Sequence, residues 1–234
     1  MSDFTLQDWI DLFLQVVDKL PITLLMLVLS LIFSLILSVV IAVIRIHKVK
    51  VLYQLSTLYL SFTRATPLLV QIFLVYFGLP EVLLLFNIDI NGFDRLFFAI
   101  LAFTLHTAAY LSEIVRGAYL AVGKAQLEAA YSVGMTYFQA LRRIILPQAF
   151  VIALPNLGNT TIELLKDTSL AFTIGIIDIM GQVRIILGNN HGLGLFQIYF
   201  VISIVYWLTC LAIELMINYL EKKFKKGRSA LSKA

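Results

Sequence analysis

Residues 20–44 read LPITLLMLVLSLIFSLILSVVIAVI, without a single charged side chain. As a helix rising about 1.5 Å per residue, this stretch exceeds the ~30 Å hydrocarbon layer of a bilayer. The rest of the chain agrees with it. Of 234 residues, 60% are hydrophobic and 14% charged, with a mean hydropathy of +0.93; soluble domains run nearer 45–50% apolar and about 25% charged. So few ionisable groups cannot cover a water-facing surface, which excludes a cytosolic enzyme, a secreted disulfide scaffold and a disordered tail. The one cysteine, Cys210, cannot form an intrachain disulfide, and a net charge of +4 is too small and too dispersed for a nucleic-acid surface. The sequence describes a membrane protein.

Outward from that stretch, four further apolar runs are bounded by charges: residues 51–80, interrupted by Arg64; 96–112, with room to extend past Arg95 and Glu113; 144–162; and 193–213. A sixth run, 168–177, is too short to cross and reads as a re-entrant or buried segment. Basic residues collect in cytoplasmic loops. Here they follow the first span (Arg45, Lys48, Lys50), the third (Arg116, Lys124, Arg142, Arg143) and the last (Lys222, Lys223, Lys225, Lys226, Arg228, Lys233). The other side carries only Lys19, Arg95, Lys166 and Arg184, behind an N-terminus holding Asp3, Asp8, Asp11 and Asp18. The expected fold is therefore an all-α integral membrane protein with five transmembrane helices, N-terminus outside and C-terminus inside.

The expected organisation is an extracytoplasmic N-terminal segment (1–19), a transmembrane domain (20–220) and a basic cytoplasmic tail (221–234). An acidic flank and excessive length argue against a cleavable signal peptide. In the first segment, Thr5 and Asp8 have capping-box spacing, and Trp9, Ile10, Phe13, Val16 and Val17 recur at helical intervals, so an amphipathic helix on the outer surface is expected. Ser30, Ser34, Ser38 and Ala42 lie four apart, a stripe of small residues suited to close helix packing. The connection from Arg116 to Arg143 reads as partly helical, about 124–140, with an apolar stripe of Leu127, Tyr131, Met135 and Phe138. Gly134 sits beside that stripe, and its bare backbone suits the close approach of another surface.

Within this connection, Glu128-Ala129-Ala130, Gly134, Ile144 and Leu146-Pro147 fall at the spacing of the EAA signature of ABC-importer permease subunits, which the chain resembles. The stretches Arg64-Ala65-Thr66-Pro67-Leu68-Leu69-Val70-Gln71, Ala109-Tyr110-Leu111-Ser112-Glu113-Ile114-Val115-Arg116-Gly117 and Lys166-Asp167-Thr168-Ser169-Leu170 resemble the polar amino acid branch of that family. The resemblance extends from about residue 20 to 220. It implies a type I ABC importer permease-like fold in a bacterial cell membrane, with a coupling helix set in a groove of a cytosolic ATPase. The coupling residues it implies are Glu128, Ala129, Ala130, Gly134, Met135 and Phe138. It also implies two ATPase copies holding the ATP and magnesium, a second permease subunit (the same chain or a different one), an extracellular solute-binding protein, and no cofactor in this chain. The chain departs from the family pattern at Ala65, at Ala125-Gln126 and at Glu163.

Charges within a span are costly in hydrocarbon and so mark candidate sites. Arg64, with Thr66 and Pro67 close by, suits the carboxylate of an amino acid; alternatively it pairs with Glu113 and only holds helices together. Glu163 and Asp167 share a helical face and suit an ammonium group, unless Lys166 and Asp167 form a structural cluster; Ser169 follows them. Bends at Pro155, Gly158 and Asn159 would turn that face inward. Catalytic patterns are missing. Residues 117–124 hold five rather than four residues between glycines, and Ala125 stands where a P-loop needs Ser or Thr. His47, His106 and His191 are scattered, with His191 in an expected outer loop, and there is no serine elbow. The expected function is inward transport of a polar amino acid (cystine, basic or amide) powered by a separate ATPase; the rival is a self-sufficient ion-coupled carrier using Glu163 and Asp167.

Overall fold

The computed structural model describes residues 5–189 and 194–231. Nine helices occupy them, with no strand among the described residues: α1 (Leu6–Val17), α2 (Leu20–Ile46), α3 (Lys50–Ala65), α4 (Leu68–Leu84), α5 (Arg95–Val122), α6 (Lys124–Ser132), α7 (Tyr137–Ile174), α8 (Ile179–Asn189) and α9 (Leu195–Leu231). A π turn, Leu74–Gly78, interrupts α4. Another, Leu141–Ile145, interrupts α7, which ends as a 3-10 helix over Thr168–Ile174. The α1–α2 run, α5, α7 and α9 are each long and apolar enough to cross a bilayer, and the α3–α4 pair makes a fifth span if taken as one broken helix.

That pair occupies the run 51–80, where one interrupted span was expected, and is sharply broken within it. α3 and α4 meet at 117°. Pro67 has no N–H and restricts the residue before it, so Thr66 takes the extended conformation (φ −109°, ψ 141°). The helix stops there, and α4 starts again from the Pro67 carbonyl, which accepts from Val70 N and Gln71 N.

The stripe on α2 does what its spacing suggested. Ser30, Ser34, Ser38 and Ala42 are all buried, and the face they form lies against α5. Ser34 and Ser38 return their hydroxyls to Leu31 O and Leu35 O, and Ser30 donates to Ile100 O on α5. No polar group on this stripe is left to hydrocarbon. Around it, Met26, Leu68, Ile72, Phe103, Leu164 and Ile174 close the main core between α2, α4, α5 and α7, into which Ala171 and Ile176 of the short apolar run 168–177 also pack, while Ile177 is exposed. α7 and α9 also pack closely: a Cβ at Gly158 would lie 2.7 Å from Ile217 Cγ2.

Four boundaries differ from the sequence reading. α1 has its Thr5–Asp8 capping box, but its inner edge is Leu12 and Val16, packed on α8 and α9, while Ile10 and Phe13 are exposed. α8 was not expected; Asp178 Oδ1 accepts from Gly181 N and fixes its first turn. α9 continues past Glu214 as helix to Leu231, so the expected end of the last apolar run at residue 213 is not a helix end. α8 reaches Asn189, so the start of the expected outer loop is helical, and His191 lies outside the described residues.

Candidate functional site

A cavity of about 300 Å³ opens between α5 and α7, lined by His106, Thr107, Tyr110, Thr160, Glu163, Leu164 and Asp167. Helical spacing produces it: positions 106, 107 and 110 share one face of α5, and 160, 163, 164 and 167 share one face of α7. Two carboxylates meet an imidazole and a phenol across it, with no cation among the lining residues. His106 is tied down from the far side. Its Nδ1 lies 3.0 Å from Gln71 Oε1 on α4, and its ring lies 5.1 Å from that of Tyr110. Gln71 in turn holds the α3–α4 break, donating from Nε2 to Thr63 O, Thr66 O and Thr66 Oγ1.

Of the residues singled out in sequence, Glu163 and Asp167 line this cavity; Arg64, Thr66, Glu113 and Ser169 are not among its lining. Arg64 is exposed on the last turn of α3. It does not pair with Glu113, because Glu113 is taken by Arg45 of α2 and by Arg116, whose Nη2 lies 2.7 Å away and Nε 3.1 Å away. The salt bridge therefore joins α2 to α5. Thr66 belongs to the break, its hydroxyl donating to Phe62 O, and Ser169 is half-buried in the 3-10 end of α7. Lys166 is exposed and makes no ion pair with Glu163 or Asp167 among the described residues. His106, Tyr110, Thr160 and Gln71 were missed. Tyr110 and Gln71 lay within the stretches that carry the family resemblance without being singled out, and His106 is linked to Tyr110 by four-residue spacing.

Residues 124–140 are not one helix. α6 ends in a Schellman turn: Gly134 N donates to Tyr131 O and Met135 N to Ala130 O, with Gly134 at φ +79°. Thr136 then caps α7 in a capping box with Gln139. Four residues, 133–136, separate the two helices, so the expected stripe is cut in two. Ala130 is buried and Met135 half-buried, whereas Glu128, Ala129, Tyr131, Val133 and Phe138 are exposed. Gly134 is required by its dihedral; nothing in the chain lies within 4 Å of where its Cβ would be.

Residues 34–226 match the model of the binding-protein-dependent transport system inner membrane component family. The chain belongs to that family. It is 42% identical to the L-cystine transport system permease protein TcyL of Bacillus subtilis, over 91% of this chain and 88% of the relative. It is 43% identical to the probable amino-acid permease protein YxeN of the same organism, over 94% and 96%. Its fold matches that in the crystal structure of an amino acid ABC transporter with histidines, with a TM-score of 0.80 and 29% identity, covering 95% of this chain and 99% of that one.

As a permease of this family, the chain is a multi-pass protein of the bacterial inner membrane and a transport subunit of an ABC importer. Its partners are an ATPase and a solute-binding protein. The fold also resembles that of the MetNI methionine ABC transporter, at a TM-score of 0.65 and 19% identity, covering 89% of this chain and 94% of that one.

Proposed function

We propose that this permease moves a polar amino acid inward by alternating access, with cystine the first cargo to test and basic and amide amino acids next. The observation that carries the reading is the α5–α7 cavity, where Glu163 and Asp167 face His106 and Tyr110 with no cation between them. Such a site suits an ammonium group, and the named cargo of a 42%-identical relative supports the choice of cystine. Arg64, Thr66, Glu113 and Ser169 stay candidates for contacts made as the cavity changes shape. In the single chain they lie outside it.

The α6–α7 connection is assigned to the ATPase, with Glu128, Ala129, Ala130, Gly134, Met135 and Phe138 as the coupling segment. ATP and magnesium belong to that partner, present in two copies beneath a pair of permeases, for which a homodimer is the first choice. The distribution of basic residues supports an N-terminus outside and a C-terminus inside.

The test is uptake into proteoliposomes holding the permease, its ATPase and its binding protein, with L-cystine, L-arginine and L-glutamine as cargoes. ATP-dependent accumulation of at least one is expected, and Glu163→Gln should reduce it about tenfold or more, as loss of a charge-assisted contact does. Uptake by the permease alone under an ion gradient would overturn the reading, and unchanged kinetics in Glu163→Gln would move the site elsewhere.

A further inference from the structure

The amide of Gln71 has one way to face. Pro67 lacks the N–H that would otherwise bond Thr63 O, so that carbonyl is orphaned at the break. Gln71 Nε2 supplies the missing donor at 2.8 Å and bonds Thr66 O and Thr66 Oγ1 at 2.9 Å. Turned over, the amide would set its oxygen against two carbonyl oxygens. Oε1 therefore points to His106 Nδ1, 3.0 Å away. A carbonyl oxygen only accepts, so Nδ1 carries the hydrogen. In the neutral ring, Nε2 is then the acceptor. The other tautomer would turn an N–H outward, which an ammonium group repels.

We infer that Gln71 is a positioning residue: it holds His106 as the Nδ1–H tautomer, so that the ring offers a hydrogen-bond acceptor to the cationic end of the cargo. The inference rests on the cargo reading of the cavity. One side chain thus satisfies the carbonyls of the α3–α4 break and sets the chemistry of a cavity wall on α5. Any change in the 117° bend that withdraws Gln71 also releases the ring.

Nitrogen-15 NMR of the histidine rings, in the permease–ATPase complex reconstituted in lipid, reads the tautomer without any cargo; His106 is assigned by its loss in His106→Gln. The wild type should show hydrogen on Nδ1 and a bare Nε2, and Gln71→Met should lose that preference. Binding is measured with L-arginine and L-cystine as probes. Gln71→Met and His106→Asn should each weaken it about tenfold, roughly 1.4 kcal/mol. Asn keeps a donor for Gln71 but has no atom at the Nε2 position, so the double variant should bind no more weakly than His106→Asn. His106→Gln, which can place an amide oxygen near that position, should keep most of the affinity. Hydrogen on Nε2 in the wild type, or losses that add in the double variant, overturns the proposal. Should Gln71→Met fail to assemble, equal losses in His106→Asn and His106→Gln overturn it instead. Unchanged binding in Glu163→Gln would sink the cargo reading by itself, an outcome the tautomer signal does not share.

Discussion

Replacing Gly134 separates two reasons for a glycine in the α6–α7 connection. If a partner approaches its backbone closely, any side chain harms docking in proportion to size. The structure supplies the second reason, a backbone conformation: φ is +79°, and the Schellman bonds from Gly134 N to Tyr131 O (2.9 Å) and Met135 N to Ala130 O (3.1 Å) need it. An L-residue held left-handed costs roughly 1–2 kcal/mol, and Asn, which visits this region more readily, costs less. One to two kcal/mol is a factor of about 5–30 in the population of the turn. ATPase affinity should therefore fall in the order Gly, Asn, Ala, Leu, with Gly134→Ala some 5–30-fold weaker than the wild type. The assay is titration of purified ATPase onto permease in nanodiscs, with membrane-fraction abundance reporting insertion, which should be unchanged. Tighter binding by Gly134→Ala than by the larger Gly134→Asn would show that size governs this position, and the conformational argument would be wrong.

Other variants test the packing. At Gly158, helix propensity alone would make alanine stabilising by about 1 kcal/mol. A Cβ there would sit 2.7 Å from Ile217 Cγ2 and 2.9 Å from Cδ1, and β-branched Ile217 has little rotamer freedom on a helix, so overpacking of about 1–3 kcal/mol should win. Gly158→Ala should lower the melting temperature of the complex and Ile217→Ala should partly restore it; a raised melting temperature would mean α7 and α9 have room. Glu113→Gln strands Arg45 and Arg116 together and should cost about 2 kcal/mol, the buried-pair penalty reduced for partial exposure. Arg45→Met leaves Glu113 paired with Arg116 and should cost less, as thermal melting of the two variants would show; equal losses would contradict a shared carboxylate.

What could be read from sequence follows from how local each signal is. The Ser30–Ser34–Ser38–Ala42 stripe and the Thr5–Asp8 box depend only on residues within a helical turn of one another, and both hold in the structure. The break at Pro67 is local in the same way, because the ring restricts the residue before it. Its size could not be read, because the bend is held by Gln71, whose partners include His106, 35 residues away. The inner face of α1 was legible in part: Val16 is buried and Trp9 and Val17 pack beside it as their spacing suggested, whereas the contacts with α8 and α9, far along the chain, add Leu12 and leave Ile10 and Phe13 exposed. α8 itself carries Gly181, Arg184 and Gly188 among its apolar residues, and its start rests on the buried side chain of Asp178.

The cavity shows the same division in one place. Glu163 and Asp167 drew notice as charges in a span, and so did Glu113, but a charge pattern on one helix does not say which face meets which. The facing places Glu113 in a second hollow of about 310 Å³, lined also by Gly117 on α5 and by Ala153 and Asn156 on α7. His106, Tyr110, Glu113 and Gly117 step along one side of α5 in fours and threes, while Asp167, Glu163, Thr160, Asn156 and Ala153 step back along α7. The two hollows therefore follow one another down a single α5–α7 seam. Their charges differ: the first gathers two carboxylates without a cation among its lining residues, and the carboxylate of the second is already neutralised by Arg45 and Arg116. Under the proposed cargo reading, a cationic group on this seam would meet uncompensated carboxylates at Glu163 and Asp167 and an already paired one at Glu113, so the first hollow is the place where a charge-selective contact would form.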